Sequence, residues 1–566
     1  MKWNISKGLR AVIILELAIP LTLLALGIYH GLMQTLYRSG MISMREFAAL
    51  EYYQGLTLHG VINAIVLTTF FAVAFGHACM TYYLKRKIST PLAWLSFALM
   101  LIGTLLAAWA MLTGEASVLY TFYPPLKAHP LFYIGVALLV VGSWIAYFSW
   151  IPPFLAWRRE NIGSKMPLAV LGTLVNFTVW FVCTLPVAYE VLVLLLPWSM
   201  GWTPDVNVPL CRTLFWFFGH ALVYFWLLPA YIMFYTMLPE LAGGKLFSGN
   251  AGRLVFFLFL VLSIPVGVHH QFSEPSLSRG IKMVHTILTF GIAVPSFITA
   301  FTLAATLEYA GVQRGAKSLF GWLGKLPYFD RDRYLFAYLI TGLILFIFGG
   351  LTGLVNASYS LNSVIHNTAW MPGHFHMTVA GPVFLAILGM SLYLLTNVTG
   401  RVLSPFMKNI AVIVPHLWMI GLLIFSTGLM WGGLLGEPRR TNLGISYLDP
   451  ESPLFRPDWV PTTALALFGG VIMFSAAGLY FIVLIKLLFT KKTEEPGLEF
   501  PEYAVLHDEP RIGILDNFRP WLVLMVLVIA LAYIPAFRDV LKFTGDKAPP
   551  YSPQNPAPLE LYQKTE

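Results

Sequence analysis

About thirteen stretches of this 566-residue chain are apolar over some twenty residues or more, which is the length a helix needs to cross a hydrocarbon layer. They lie roughly at 10–35, 56–83, 91–113, 130–157, 167–198, 213–240, 252–272, 280–309, 332–356, 370–397, 409–436, 461–490 and 519–537. With 57% hydrophobic and 11% charged residues, the composition excludes an ordinary soluble domain, in which roughly 25% of residues are charged. The expected fold is an all-α polytopic membrane protein of about 13 transmembrane helices. The first stretch, interrupted by Glu16, is too long and too lightly flanked for a cleaved signal and reads as a span. No internal repeat stands out. A single transmembrane catalytic domain is expected over 1–546, followed by a Pro-rich extended tail over 547–566, available to lie against a partner.

The formal net charge of +9 would suggest nucleic acid as a partner for a soluble protein. Here the basic residues fall instead in alternate loops: Lys85-Arg86-Lys87, Arg158-Arg159, Arg314 to Arg333, Arg401 with Lys408, and Lys491-Lys492. Lys2, Lys7 and Arg10 join the same side. By the positive-inside rule the N-terminus is cytoplasmic, and an odd number of spans puts the C-terminus outside. No nucleic-acid partner is expected; the lipid bilayer is. Cys79, Cys183 and Cys211 share no metal-ligand spacing and read as packing residues or unpaired thiols.

Six of the 13 histidines stand in the apolar stretches in a pattern that packing does not require. They are His59, His220, His269-His270 and His374-Phe375-His376, and the topology places all of them in the outer half of the bilayer. Imidazole in such an interior is costly unless it pairs or binds metal. At 100° per residue, His374 and His376 point about 200° apart, so they serve two cofactors flanking one helix. His220 and Tyr224 stack one turn apart on one face. The adjacent pair His269-His270, beside Pro265 and Gly267, can aim two rings into one site if the backbone there is irregular. His220, His269 and His270 then make a three-nitrogen copper site. His374 faces one haem as its only protein ligand, and His59 with His376 clamps a second haem from both sides. The bundle is thus expected to enclose two haems and a copper. His30, His285 and His416 read as hydrogen-bonded interior residues, and His77 and His129, near span ends, as facing water.

Gly219-His220-Ala221-Leu222-Val223-Tyr224, His269-His270-Gln271-Phe272 and Pro372-Gly373-His374-Phe375-His376 together resemble subunit I of the haem–copper oxygen reductases (cytochrome c oxidases). Tyr52-Tyr53-Gln54-Gly55-Leu56-Thr57-Leu58-His59-Gly60 and Tyr120-Thr121-Phe122-Tyr123-Pro124-Pro125-Leu126 are similar to the B-type branch. The resemblance implies a terminal respiratory oxidase that reduces oxygen to water and couples this to proton translocation across a prokaryotic cell membrane. It implies a low-spin haem of b type on His59 and His376, a high-spin haem of a type on His374, and copper B on His220, His269 and His270. It also implies a covalent bond between His220 and Tyr224. The partners implied are a subunit II with a dinuclear copper centre, a small additional membrane subunit and cytochrome c as donor. Two departures stand out: Ala221 replaces the usual proline, without loss of a ligand, and Leu222 stands where A-type members carry a glutamate, so the proton route ending there is absent.

Protons must reach the site from inside. Tyr224, Tyr231 and Tyr235 share one helical stripe, and Ser296, Thr299 and Thr302 form a hydroxyl stripe on a neighbouring span. Thr302 reads as bonded to its own helix. The family's K-type path matches Tyr231, Tyr235, Ser296 and Thr299, ending at Tyr224. Arg439-Arg440 break the charge pattern on the outer side, where haem propionates need cations, and His366 and Asn367 lie at the same level. A nitric oxide reductase would share the histidines but lack the tyrosine. A proton-coupled transporter leaves the opposed histidines unexplained.

Overall fold

The computed structural model describes residues 2–42, 51–444 and 446–543, together with the backbone of Lys547 and Ala548. Among the described residues, twelve helices are long and apolar enough to cross a membrane. In chain order they are α1 (Lys7–Arg38), α2 (Tyr52–Leu84), α3 (Thr90–Leu112), α4 (Pro130–Glu160), α5 (Leu168–Ser199), α6 (Val208–Thr236), α8 (Arg279–Gln313), α9 (Arg331–Ala357), α10 (Trp370–Thr399), α11 (Pro405–Leu434), α12 (Pro457–Phe489) and α13 (Phe518–Lys542). The remaining expected span, the seventh in order, is shorter: α7 covers Gly249–Leu262 and gives way to a 3₁₀ turn over Gly267–Gln271.

Lipid offers no hydrogen bonds, so each crossing segment must satisfy its own backbone, and a helix does so. The starts are written in the sequence. Ser6, Asn207, Ser248 and Ser404 side chains accept backbone N–H groups at the first turns of α1, α6, α7 and α11, and α4, α6 and α11 carry proline at the first positions. Neighbours in sequence pack as antiparallel pairs, above all α3 with α4, α5 with α6 and α11 with α12. Where α3 and α4 cross, a Cβ on Gly103 would lie 2.4 Å from the Gly135 carbonyl oxygen, so only hydrogen permits this approach.

Burial ranks the helices. In their most apolar stretches α6 is 89% buried, α2 83% and α10 78%, whereas α8 and α12 are 33% and α13 22% buried. The three central helices are those that carry His220, His59 and the His374–His376 pair. Two of them include a wider π turn, Ile62–Val66 in α2 and His376–Val383 in α10, each at or just beyond a histidine. Such turns add a residue to the coil and re-aim the side chains around it.

His59, His220 and His374 stand in the starting halves of α2, α6 and α10, and His269-His270 follow the end of α7. With alternating helix directions, all six lie toward one end of the bundle, opposite the Lys/Arg-bearing loops, as expected. Lys547–Ala548 pair antiparallel with Val206–Asn207 before α6; the rest of the tail lies outside the described residues.

Candidate metal centre

The ligand atoms of His220, His269 and His270 all lie within 4.8 Å of one another. α6 presents His220, whose Nδ1 is 3.1 Å from His270 Nε2, and whose Nε2 is 3.1 Å from the Tyr224 hydroxyl. The irregular backbone anticipated beside Pro265 is the 3₁₀ turn, which directs two consecutive imidazoles to the same side. It can do so because Gly267 sits against α6: a Cβ there would fall 2.0 Å from the Trp216 carbonyl oxygen. Trp216 also stacks on His270, with ring centroids 3.8 Å apart. Thr289 on α8 donates to the His285 carbonyl at 2.5 Å, so its oxygen accepts from His269 Nδ1–H at 3.2 Å. That bond fixes the tautomer and leaves the lone pair of His269 Nε2 for a metal.

The same logic holds at the other three histidines. His59 Nδ1 donates to the Gly27 carbonyl on α1 at 2.8 Å, and His376 Nδ1 to the Pro372 carbonyl at 2.7 Å. Thr352 on α9 donates to the Gly349 carbonyl and accepts from His374 Nδ1 at 2.9 Å. Each ring is therefore held by its δ nitrogen and keeps a free lone pair on the ε nitrogen, the arrangement of an oriented metal ligand. His374 faces α9, whereas His376 turns to the other side, where its ring packs against Phe425 of α11. There it lies nearly parallel to His59, centroids 6.1 Å apart. One cavity of about 520 Å³ is lined by all six histidines. It continues past Tyr224 to Tyr231, Ser296 and Thr299.

The two hydroxyl stripes meet. Tyr231 is 3.0 Å from Ser296 and Tyr235 2.9 Å from Thr299, hydroxyl to hydroxyl. Thr302 donates back to the Ile298 carbonyl, as its helical position suggested.

At the cavity's end near the loops, Arg439 donates to the Asn367 side-chain oxygen at 2.6 Å, and Arg440 lies beside Tyr120 and Tyr123. Asn367 and Arg440 both adopt left-handed backbone, with φ of 60° and 63°, strain that clusters where side chains must be aimed. Neither arginine forms an ion pair with a carboxylate among the described residues. Burial and the charge of Arg440 lower the pKa of Arg439, so an anion beside the pair would be favourable. His366 bonds Asn362 at 2.9 Å; burial, then the charge of Arg439, brings its pKa to about 4 and keeps it neutral.

Other histidines divide. His285 donates to the Ala532 carbonyl and His416 to that of Val412, as interior residues do. His30 is buried with its Nε2 unpartnered. His129 caps α4 by accepting from Leu131 N–H and is half-buried. His77 contradicts the expectation that it faces water: it is fully buried, with Trp150 donating to its Nδ1. Although it stands near a helix end, α4 crosses over it and Trp150 shields it from water. The three cysteines are buried and unpaired, as expected. The threonines that orient His269 and His374 carry no sequence signal, since each sits on a different helix from its histidine.

The family profile described as Cytochrome C and Quinol oxidase polypeptide I matches residues 11–472. The chain is 41% identical over 490 residues to cytochrome c oxidase subunit 1 of Thermus thermophilus, covering 86% of each. It is 26% identical to the heme-copper oxidase subunit I+III of Aeropyrum pernix, over 74% of this chain and 50% of that one. A solved heme-copper terminal oxidase, a dimer, superposes with a TM-score of 0.95 at 47% identity, covering 98% of this chain and 96% of that one. Histidines freed at one nitrogen and gathered on one cavity are what such a family requires, and neither a transporter nor a nitric oxide reductase is favoured. The chain belongs to the cytochrome c and quinol oxidase polypeptide I family, the catalytic subunits of haem–copper terminal oxidases.

Proposed function

We propose that His374 would hold a high-spin haem, His59 and His376 a low-spin haem, and His220, His269 and His270 copper B, and that this cavity is where oxygen is reduced to water. The observation that carries this is the convergence of six imidazoles on one cavity, with an ε-nitrogen lone pair left free on each of the four rings whose δ nitrogen is engaged away from it. The low-spin haem is of b type and the high-spin haem of a type. Arg439 and Arg440, which pair with no carboxylate among the described residues, would hold their propionates, with His366 and Asn367 beside them. When bound, the metals supply electrons to dioxygen and weaken its O–O bond.

The chain's own groups do the rest. Held by both His59 and His376, the low-spin haem would serve as an electron carrier, while a haem held by His374 alone would supply a site for oxygen. Tyr224, hydrogen-bonded to His220, holds a proton on its phenol oxygen next to the copper ligands. It is refilled along Tyr235–Thr299 and Tyr231–Ser296, two hydroxyl pairs whose rotation hands protons from the Lys/Arg-bearing side toward the centre. Leu222 closes the alternative glutamate route. That side is cytoplasmic and the C-terminus lies outside. Electrons arrive from cytochrome c through a subunit II with a dinuclear copper centre, with a small further membrane subunit alongside. Residues 1–546 act as one catalytic domain, and the Pro-rich 547–566 lies against a partner.

Ligand-by-ligand substitution tests these roles. His59→Ala and His376→Ala should each lose the low-spin haem spectrum, His374→Ala the high-spin one, and His269→Ala the copper with both haems kept. A His376→Ala enzyme with an intact low-spin spectrum removes the assignment.

A further inference from the structure

Far from the histidine layer, α1, α2 and α4 bury an ionisable pair that the oxygen chemistry leaves unused. Glu16 and His77 are both fully buried, with His77 Nε2 3.6 Å from Glu16 Oε1. The Trp150 indole donates to His77 Nδ1 at 2.9 Å. It reaches that far because position 76 is glycine, where a Cβ would fall 2.2 Å from the indole ring. Both oxygens of Glu16, and His77 Nε2, lack a hydrogen-bond partner. His77 is the ionisable side chain that Glu16 meets.

An indole N–H only donates, so His77 Nδ1 must keep its lone pair. The single ring proton then sits on Nε2, on the side of Glu16, and an imidazolium is shut out while the Trp150 bond lasts. The usual outcome for a buried acid beside a histidine, an ion pair, is therefore blocked. A carboxylate here would have one neutral donor, 3.6 Å off, and a charge so poorly solvated is costly to bury. The stable form keeps the proton on the carboxyl; the ionised form is reached when the gap to Nε2–H closes. One proton is exchanged, and it resides on Glu16.

Position gives this group a role. His77 lies about 27 Å beyond His59 along α2, near the Lys85-Arg86-Lys87 end. At the other end of the same two helices, the Gly27 carbonyl of α1 holds His59 of α2. We infer that Glu16 is a proton-exchanging site of the working oxidase, separate from the tyrosine stripe, which binds a proton from the Lys/Arg-bearing side on reduction and releases it on oxidation. The electron's negative charge is thereby balanced within the bundle. The link to the low-spin haem rests on its assignment to His59; the exchange itself is read independently.

Reduced-minus-oxidised infrared difference spectra of the whole enzyme, in H2O and D2O, decide it. The parent should show a carboxylic C=O band that shifts in D2O and is absent from Glu16→Gln, while the two-haem optical spectrum stays unchanged. Trp150→Phe frees Nδ1 and admits the imidazolium, so Glu16 should stay ionised in both redox states and the acid band should vanish although Glu16 remains. Should Glu16→Gln not assemble, His77→Phe removes the donor that faces the acid and must move the same band. A carboxyl region identical in the parent and the variants overturns the proposal. A lost haem spectrum in His59→Ala would bear on the haem assignment alone.

Discussion

Tyr224 stands one turn beyond His220, its hydroxyl 3.1 Å from that ring's Nε2, and a phenylalanine there would keep the packing but not the proton. Tyr224→Phe should retain both haems and the copper while oxygen consumption falls on the order of 100-fold or more, the usual contribution of a positioned acid. Oxygen-electrode rates beside optical spectra check this, and full turnover would remove Tyr224 from the chemistry. Residues of this kind were legible because their relations lie within one helix. The i,i+4 pair and the opposed His374 and His376 follow from 100° per residue. Thr352 and Thr289, which fix the His374 and His269 tautomers, were not, because contacts between helices leave no periodic trace. His77 was misjudged for the same reason.

At the scale of elements, the seventh span shows what periodicity misses. A run expected over 252–272 ends as a helix at Leu262, because Pro265 cannot donate to the turn before it and Gly267 must approach α6 closely. The shortened helix is the device that aims His269 and His270. Gly267→Val would drive a side chain into the Trp216 backbone, so the turn must lift away and carry both rings with it. Copper content should fall well below one per chain with both haem spectra retained; metal analysis of the purified variant reads it. The π turns of α2 and α10 were equally invisible, since both helices are buried nearly all round and offer no apolar stripe whose shift would mark an extra residue.

Over the whole molecule, the alternation of basic loops and the run count described the bundle well, and burial then explains why α2, α6 and α10 carry the ligands: they are its interior. What sequence could not show is how the end bearing the basic loops is tied together. Asp516, 2% exposed, accepts from Met166 N–H at 3.0 Å and from Arg511, Arg253 and Arg158, joining the ends of α4 and α7 to the loop before α13. Burial pushes its pKa up, but the Met166 N–H and the three arginines more than reverse this, so it lies below the ordinary aspartate value. A depressed carboxyl stabilises fully above its unfolded value, about 3.9, and the gain is lost as pH falls through the folded one. Melting followed by haem absorbance should therefore drop in temperature below about pH 4 for the parent. Asp516→Asn should melt lower already at neutral pH and show less acid dependence; an unchanged acid profile would contradict the tie.

The most direct test of the central claim is the iron, copper and haem content of the purified chain, measured together. Two haem irons and one copper per chain, with copper alone lost from His269→Ala, is the predicted result. A folded protein with one haem, or with no copper, would contradict it.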